Sequence, residues 1–305
     1  MPRQGRPPTF HTAQNSAMSN PVAKLSNSTT QPDTDARFEE MLTRLRKCEG
    51  LVEQELDEYR STETPVSEQD ANETQRDYLL SIVIPVYNEE ATVARVVSRV
   101  AALPLNSELV IVDDCSTDGT RAILGLVADL PQVQVILKDK NAGKGAALRT
   151  GFENATGDFI IVQDADLEYD PRDIPPIIQP LLRGEADIVY GSRFIGDVVH
   201  DESFIHRLGN AVLTQASNLF SGLNLTDMET CYKAFTREAM EAVDIEQERF
   251  GIEPEITAKL ARRGFRFKEV PISFYESRGY DEGKKIGIKD LFNAFWCIGR
   301  YGISD

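Results

Sequence analysis

Two aspartates, Asp164 and Asp166, flank Ala165 shortly after an apolar run that ends at Val162, and could together bind a metal ion. Successive strand side chains point to opposite faces, so two carboxylates at this spacing meet one ion only where the chain leaves strand geometry. Carboxylate oxygens suit Mg²⁺ or Mn²⁺, which retain water and bridge substrate phosphates. Glu168 is a candidate third ligand. The pair alone is a weak signal because acidic pairs are common in loops, but its position after a buried strand favours a metal site.

Asp113 and Asp114 form a second acidic cluster, again at the end of an apolar run. Asp113 could accept hydrogen bonds from a ribose or a base, whereas the cluster could also cap a helix or form a turn. Asp118 has the pattern of an N-cap or turn residue before a helix. Segment 141–145 resembles a phosphate loop only loosely, because it lacks the first Gly and the final Ser or Thr of a P-loop. No Gly-x-Gly-x-x-Gly motif follows the first apolar run, which argues against a dinucleotide-dependent oxidoreductase.

Basic residues recur further along the chain, in places that could bind phosphate. Arg193 follows a short apolar run, and Lys233 closes a segment of mixed charge that begins near Asp227. Arg278 and Lys284 lie in a charged loop punctuated by glycines. That loop is either solvated surface or a mobile lid whose two cations close on a diphosphate.

Predicted strands and helices alternate through the part of the chain that carries these residues. Such alternation predicts an α/β fold with a parallel sheet covered by helices on both faces. Ligands of such sheets bind beyond the carboxyl ends of the strands, where the acidic clusters fall. The predicted strands cover 79–86, 109–112, 133–137, 159–162 and 188–190, and the predicted helices cover 91–102, 119–129 and 144–154.

The chain divides into four predicted parts. Residues 1–34 are rich in Pro, Ser, Thr, Asn and Gln and cannot bury enough apolar surface to order, which predicts a disordered tail. Segment 35–60 carries apolar residues at helical spacing; the amphipathic helix it predicts either forms a coiled coil or partner contact, or packs on its own domain. A polar linker at 61–77 leads to a globular domain at 78–305.

Charge and cysteine content argue against several classes of protein. The formal net charge of −16 repels nucleic acid, and an anionic nucleotide sugar would need a metal or placed basic residues. The 4 cysteines include no Cys-x-x-Cys pair, which argues against a zinc site or a disulfide framework and indicates a reducing cytosol. No stretch approaches the roughly 18 apolar residues of a spanning helix, and the N-terminus lacks the apolar core of a secretory signal. We therefore expect a cytoplasmic protein.

Taken together, four motifs make the chain resemble glycosyltransferase family 2. They are Ile84-Pro85-Val86-Tyr87-Asn88-Glu89-Glu90, Asp113-Asp114-Cys115-Ser116-Thr117-Asp118-Gly119-Thr120, Asn141-Ala142-Gly143-Lys144-Gly145 and Asp164-Ala165-Asp166. The resemblance implies the GT-A fold, with a mostly parallel central sheet and helices on both faces. It covers about 78–301 and is closest to the branch that transfers mannose or glucose to dolichyl or polyprenyl phosphate.

The resemblance also implies inversion at the anomeric carbon and a role for each candidate residue. Asp164, Ala165 and Asp166 would bind the metal and the diphosphate. Glu168 stands where many relatives have Gln. The nucleoside would be held by Pro85, Tyr87, Glu89 and Asp113, and the donor and acceptor phosphates would lie near Arg193, Lys233, Arg278 and Lys284.

The expected reaction moves a hexose from GDP-mannose or UDP-glucose to a polyprenyl or dolichyl phosphate, with Mg²⁺ or Mn²⁺ as cofactor. A phosphate monoester has a second pKa of about 6 and is already anionic at neutral pH, so it needs cations more than a general base. A hydroxyl acceptor on a glycan or small molecule is the first alternative, and Asp227 would then be the catalytic base. The second alternative is a catalytically silent domain that serves as a partner subunit through its N-terminal helix.

One apolar stripe near the C-terminus could contact a membrane. Ile288, Leu291, Phe292, Phe295 and Trp296 recur on one face of a predicted helix, with basic residues near both ends. Aromatic residues next to cations suit an interfacial helix that lies among the headgroups of the cytoplasmic membrane face. The same stripe could instead pack on the sheet as ordinary core, and the net charge of −16 opposes binding to anionic lipid.

Overall fold

The computed structural model describes residues 78–196, 204–275 and 288–304, apart from the side chains of 204–206 and 288–290. The predicted tail, the predicted helix at 35–60 and the linker at 61–77 lie outside these ranges, and so do Arg278 and Lys284 of the predicted lid. Self-association or partner binding through the N-terminal helix therefore stays a prediction.

In the described part of the chain, seven strands form one sheet, and most of them run in parallel. The strands are β1 (Leu80–Val86), β2 (Ser107–Asp113), β3 (Val133–Leu137), β4 (Phe159–Val162), β5 (Ile188–Ser192), β6 (Lys233–Thr236) and β7 (Phe267–Pro271). Their order is β3-β2-β1-β4-β6-β5-β7. Only β6 runs antiparallel to its neighbours, β4 and β5, within the described sheet. The predicted α/β class and mostly parallel sheet are confirmed.

Helices cover both faces of this sheet. They are α1 (Val93–Ala101), α2 (Thr120–Val127), α3 (Lys144–Asn154), α4 (Ile174–Leu182), α5 (Phe204–Ser221), α6 (Arg237–Glu241), α7 (Ile252–Arg262) and α8 (Ile288–Ile303), with a 3₁₀ turn at Pro171–Asp173. The first three match the predicted helices. Apart from the C-terminal stripe now found on α8, the remaining helices had no counterpart among the predicted elements.

The apolar core lies in two layers, one on each face of the sheet. Alternate residues of β1 enter opposite layers: Ile82 and Ile84 pack in the layer that contains α1 and α4, and Val83 packs in the layer that contains α3 and α7. This double burial explains why the strands read as continuous apolar runs instead of alternating ones. The carboxyl ends of the strands are then the places where polar groups can gather.

Helix α8 has two apolar faces, and the predicted stripe is the outer one. Phe292 is 71% exposed and Trp296 is 53% exposed, whereas Cys297 and Tyr301 are buried. The interpretation of the stripe as ordinary core is therefore wrong for its described residues, because the inward face is formed by a different set of side chains. Among the described residues, no helix combines the length and the hydropathy that a bilayer crossing requires.

Candidate active site

The predicted site residues meet at one edge of the sheet. Asp113 ends β2 opposite Val86, the last residue of β1. Lys233 begins β6 but reaches the same edge because β6 is reversed, which pairs Lys233 with Tyr190 near the end of β5. Arg193 directly follows β5. The edge therefore brings Asp113 from one half of the sheet together with Lys233 and Arg193 from the other.

Among the described residues, three other than glycine adopt left-handed backbone, and all lie at this edge. Asn88 has φ 55°, Cys115 has φ 66° and Leu167 has φ 65°, and each follows a strand that carries a predicted motif. Such conformations are uncommon for bulky residues and concentrate at functional sites. The turn at Leu167 takes the chain out of strand geometry just after Asp166, whose Oδ1 accepts the amide of Glu168 at 3.2 Å.

Lys144 contacts the first aspartate of the acidic pair. Its Nζ lies 2.9 Å from Asp164 Oδ1 and 2.9 Å from Cys231 Sγ, and Glu253 Oε1 is 3.8 Å away. Burial by itself would lower the pKa of Lys144, but Asp164 and the other anionic partners hold it well above its ordinary value. Lys144 is therefore a fixed cation beside Asp164.

The chemistry of Asp164 and Asp166 fits a divalent ion held partly by the substrate. Both side chains are buried and offer only oxygen. Within the described ranges no three Asp, Glu, His or Cys side chains form a group that could hold an ion by themselves. Mg²⁺ is commonly bound through one or two carboxylates together with substrate phosphates, so a pair is sufficient. The ligand role of Glu168 stays a prediction.

Asp114 builds the loop in front of α3. Its carboxylate accepts the amide of Gly143 at 2.6 Å and that of Ala142 at 3.1 Å, and it binds Lys138 Nζ at 2.6 Å. Gly143 has φ 98°, and a Cβ there would lie 2.5 Å from the carbonyl oxygen of Glu248. The residue interpreted from sequence as a cap or turn former thus positions the start of α3, and with it Lys144.

The predicted nucleoside residues lie together after β1 and β2. Asp113 is fully buried, and its Oδ2 binds Arg121 Nε at 2.6 Å. The amide of Glu89 donates to Thr120 Oγ1 at 2.8 Å, which joins the two strand-end loops, while Tyr87 is 46% exposed. Asp118 Oδ1 accepts the amide of Thr120 at 3.0 Å, which confirms its turn role before α2. Nucleoside binding by these residues stays a prediction.

Arg193 and Asp227 form a buried two-point ion pair. Arg193 Nε lies 2.7 Å from Asp227 Oδ2, and Nη2 lies 2.9 Å from Oδ1. Asn210 also donates to Oδ1, and Glu269 accepts the amide of Asp227. Burial raises the pKa of Asp227, but Arg193 outweighs it and holds that pKa below its ordinary value. A carboxylate held in this way is a weak base, so the geometry favours Asp227 as a positioning group for Arg193.

Lys233 is buried beside a small cavity. Its Nζ donates to the carbonyl oxygens of Met228, at 2.8 Å, and Thr230, and it lies 4.5 Å from the centre of the Tyr190 ring. Burial lowers the pKa of Lys233. Lys233 lines, together with Lys144 and Glu253, a cavity of about 20 Å³, which is room for about one water molecule.

Sequence reasoning missed several groups of this site. Among the described residues Glu253 Oε2 accepts no hydrogen bond, and burial raises the pKa of that carboxyl. Tyr169 is buried and its hydroxyl accepts the amide of Cys231 at 3.2 Å. Burial raises the pKa of Tyr169, which keeps the phenol protonated. One signal was available: Glu253 follows Ile252 directly and precedes Ile256 by three residues, a spacing that places it beside Ile256 on a helix.

The sequence pattern of Glycosyl transferase family 2 matches residues 81–244. The undecaprenyl-phosphate 4-deoxy-4-formamido-L-arabinose transferase of Aeromonas hydrophila is 30% identical over 226 residues, covering 72% of this chain and 66% of that protein. The polyprenol monophosphomannose synthase of Mycolicibacterium smegmatis is 31% identical over 235 residues, covering 73% of this chain and 86% of that protein.

A solved structure shares the fold. Glucosyl-3-phosphoglycerate synthase from Mycobacterium tuberculosis, in complex with Mn²⁺ and uridine-diphosphate-glucose, superposes with a TM-score of 0.56 at 20% identity. The superposition covers 74% of this chain and 79% of that one. A likeness at this identity concerns the fold alone, and it confirms the predicted GT-A architecture.

The chain spans only part of the length of several relatives. It covers 66% of the Aeromonas transferase. It covers 48% of a hexosyltransferase and 36% of a glycosyltransferase from Haloferax volcanii.

Proposed function

Because the chain belongs to glycosyl transferase family 2, we propose that it transfers a hexose from a nucleotide-diphosphate sugar to a polyprenyl phosphate, with inversion at the anomeric carbon. The donor would be GDP-mannose or UDP-glucose. Two relatives whose names specify undecaprenyl phosphate or polyprenol support the acceptor class. The reaction would take place at the cytoplasmic face of a membrane.

The donor would lie across the strand ends. Pro85, Tyr87, Glu89 and Asp113 would hold the nucleoside. Asp164 and Asp166, with Ala165 between them, would hold Mg²⁺ or Mn²⁺ together with the diphosphate, and the bound ion would neutralise charge on the leaving nucleotide. Arg278 and Lys284 would close on that diphosphate.

The observation that carries this proposal is that Asp164 and Asp227 are each already bound to a basic side chain. Asp164 lies 2.9 Å from the Nζ of Lys144, so the predicted metal ligand stands beside a cation that would also attract a diphosphate. Asp227, the carboxylate that a hydroxyl acceptor would require as base, is taken up by Arg193. An acceptor that is already anionic needs no base, so this arrangement favours a phosphate.

Product analysis tests the acceptor directly. The purified full-length chain is incubated with labelled GDP-mannose or UDP-glucose and Mn²⁺, in the presence of either a polyprenyl phosphate or the matched polyprenol. Transfer to the phosphate alone is expected. Transfer to the alcohol, or to a glycan hydroxyl, would overturn the acceptor, and failure to turn over any donor while still binding nucleotide would favour the silent partner subunit.

A thermal-shift screen identifies the base of the donor. Nucleotide diphosphates are tested with and without Mn²⁺, because a ligand present at 100 times its dissociation constant stabilises the folded state by about 2.7 kcal/mol. We expect one base to stabilise the chain more than the others, and only when the ion is present. Equal stabilisation in EDTA would argue against a metal-bound diphosphate.

A further inference from the structure

Helices α5 and α8 together expose an unusual amount of apolar surface. Of the fifteen large apolar side chains that are exposed in the described ranges, nine lie on these two helices. We call them the α5–α8 apolar face; they are Leu208, Val212, Leu219, Phe220, Leu291, Phe292, Phe295, Trp296 and Ile303. Soluble monomers rarely expose a large apolar patch without an interaction partner.

The two helices are in contact and use separate faces for their own packing. A Cβ at Gly302 would lie 2.8 Å from Phe220 Cβ, so the helices touch at their C-terminal ends. Asn210 and Thr214 of α5 are buried, as are Cys297 and Tyr301 of α8. The exposed side chains are therefore a second face that the chain's own core does not use.

The charge on these helices favours an anionic partner. Helix α5 contains no Asp or Glu, and α8 contains only Asp290. Arg207, Lys289 and Arg300 against that one aspartate leave a net charge of +2, in a chain whose total is −16. A second copy docked through a two-fold axis would bring like charges together, whereas anionic headgroups would be attracted.

Trp296 carries the signature of an interface between water and lipid. Its ring is half exposed, and the Arg300 guanidinium lies 5.7 Å from the ring centre. An aromatic ring beside a cation can insert into the headgroup layer while the cation binds lipid phosphate. Helix α8 is thus suited to lie in the interface and not to cross it.

Helix α5 contacts the strand-end site directly, and α8 contacts a loop that bonds the start of α3. On α5, Asn210 donates to Asp227 Oδ1 at 3.0 Å. On α8, Asn293 donates to Gln247 Oε1 at 3.2 Å, and the carbonyl oxygen of the adjacent Glu248 accepts the amide of Ala146 in α3. The outer side chains of α5 therefore lie one helix diameter, roughly 10–12 Å, from the Arg193–Asp227 pair.

We propose that the α5–α8 apolar face docks on an anionic membrane surface and holds the site at the level of the lipid headgroups. An acceptor whose phosphate projects from the bilayer would then reach the strand ends without leaving its membrane. The identity of that acceptor rests on the proposed function, whereas docking on lipid does not.

Vesicle flotation tests docking without any acceptor. The vesicles contain equal parts of phosphatidylglycerol and phosphatidylcholine, and no polyprenyl phosphate. The full-length chain is expected to float with them, and to do so less as salt is added. Phe292→Glu and Leu219→Glu should each reduce binding at least tenfold, while Leu126→Glu, at a 42% exposed site on α2, should not. A wild type that stays in solution, or variants that float like it, would overturn docking.

A second measurement separates docking from the proposed reaction. Transfer is assayed with a short-chain, water-soluble polyprenyl phosphate and with a long-chain one in vesicles, after circular dichroism has verified folding. If the face docks on lipid, Phe292→Glu and Leu219→Glu should lose transfer to the long-chain acceptor in vesicles and keep transfer to the soluble one. Vesicle binding without transfer to either acceptor would refute the proposed function and leave docking supported. If ultracentrifugation finds a wild-type dimer that Phe292→Glu dissociates, the face binds a second copy and docking is wrong.

Discussion

The two halves of the strand-end site hold their charges in different ways. In the first half, at the ends of β1, β2 and β4, Asp113, Asp114 and Asp164 bind cations whose side chains keep 16–36% of their surface exposed. In the second half, around β5, β6 and β7, the side chains of Arg193 and Asp227 are only 9% and 0% exposed. Partners with access to water can be exchanged when a ligand arrives, whereas breaking a buried pair leaves an uncompensated charge. The first half is therefore suited to binding and the second to holding the edge in shape.

The largest effect should come from breaking the buried pair of the second half. Arg193→Ala should lower the free energy of unfolding by about 3–5 kcal/mol, because Asp227 is left charged in the interior. Urea denaturation followed by circular dichroism measures this loss. This measurement tests whether the Arg193–Asp227 pair of the second half stabilises the folded state.

An exposed pair provides the matched control. Arg266 binds Asp187 at 2.7 Å, but its side chain is 56% exposed. Arg266→Ala should change stability little, since water replaces the lost partner. If Arg193→Ala and Arg266→Ala lowered the free energy of unfolding by similar amounts, burial would not explain why the second half stabilises the fold.

In the first half, the expected loss is of activity instead of stability. Asp166→Ala should reduce transfer by about 10²-fold or more and weaken nucleotide-diphosphate binding, with the melting temperature close to that of the wild type. Asp129→Ala, which removes an exposed carboxylate after α2, should leave both unchanged. Steady-state kinetics and a thermal melt decide the matter, and full activity in EDTA would contradict metal dependence.

Arg278 and Lys284 sharpen the comparison, because they follow β7 in the sequence yet are predicted to act on the ligand. Each alanine variant should lower transfer by about tenfold or more and change the melting temperature far less than Arg193→Ala does. Donor kinetics for the two variants provide the measurement. If both behave as the wild type, the loop is only surface and catalysis belongs to the first half alone.

The smallest effect concerns Asp173, which links the halves by accepting the amide of Ser273 at 2.8 Å. Burial raises the pKa of Asp173 from 3.8 to about 6. Folding therefore favours the protonated form of Asp173. The resulting stabilisation of the folded state is fully present below pH 3.8 and is lost as the pH rises through about 6. Solvent screening at this half-buried carboxyl reduces the effect to about 1 kcal/mol, so relative to Asp173→Asn the wild type should lose about 2–4 °C in melting temperature over this window. If the melting temperatures of the wild type and of Asp173→Asn changed in the same way from pH 4 to 7, Asp173 would not titrate in this range.

The first half could be predicted from sequence because its residues stand in contiguous motifs after strongly apolar strands. Strands β3 and β4 and helix α3 begin and end at the predicted residues. The acids then had to fall at one edge, since parallel strands share their direction. What a local motif could not reveal is the partner of each acid, such as Lys144 for Asp164.

The second half could not be predicted because its geometry is set by tertiary pairing. Strand β6 has four residues, and no local pattern announces that it runs antiparallel between two parallel neighbours. Arg193 and Asp227 are 34 residues apart, so their pairing is invisible to motif reasoning. For α8, periodicity located an apolar face correctly but could not say which of two apolar faces turns inward.

The position of β6 also affects the order in which the sheet can assemble during synthesis of the chain. Strand β6 is made after both β4 and β5, yet it lies between them in the sheet. A ribosome adds about 5–20 residues per second, so the roughly 70 residues from Val162 to Thr236 take about 4–14 s to appear. During that interval the nascent β4 has one edge without its final neighbour, and an unpaired strand edge is a template for aggregation. The same reversed strand that brings Lys233 to the site therefore determines when, during translation, the chain is most in need of a chaperone.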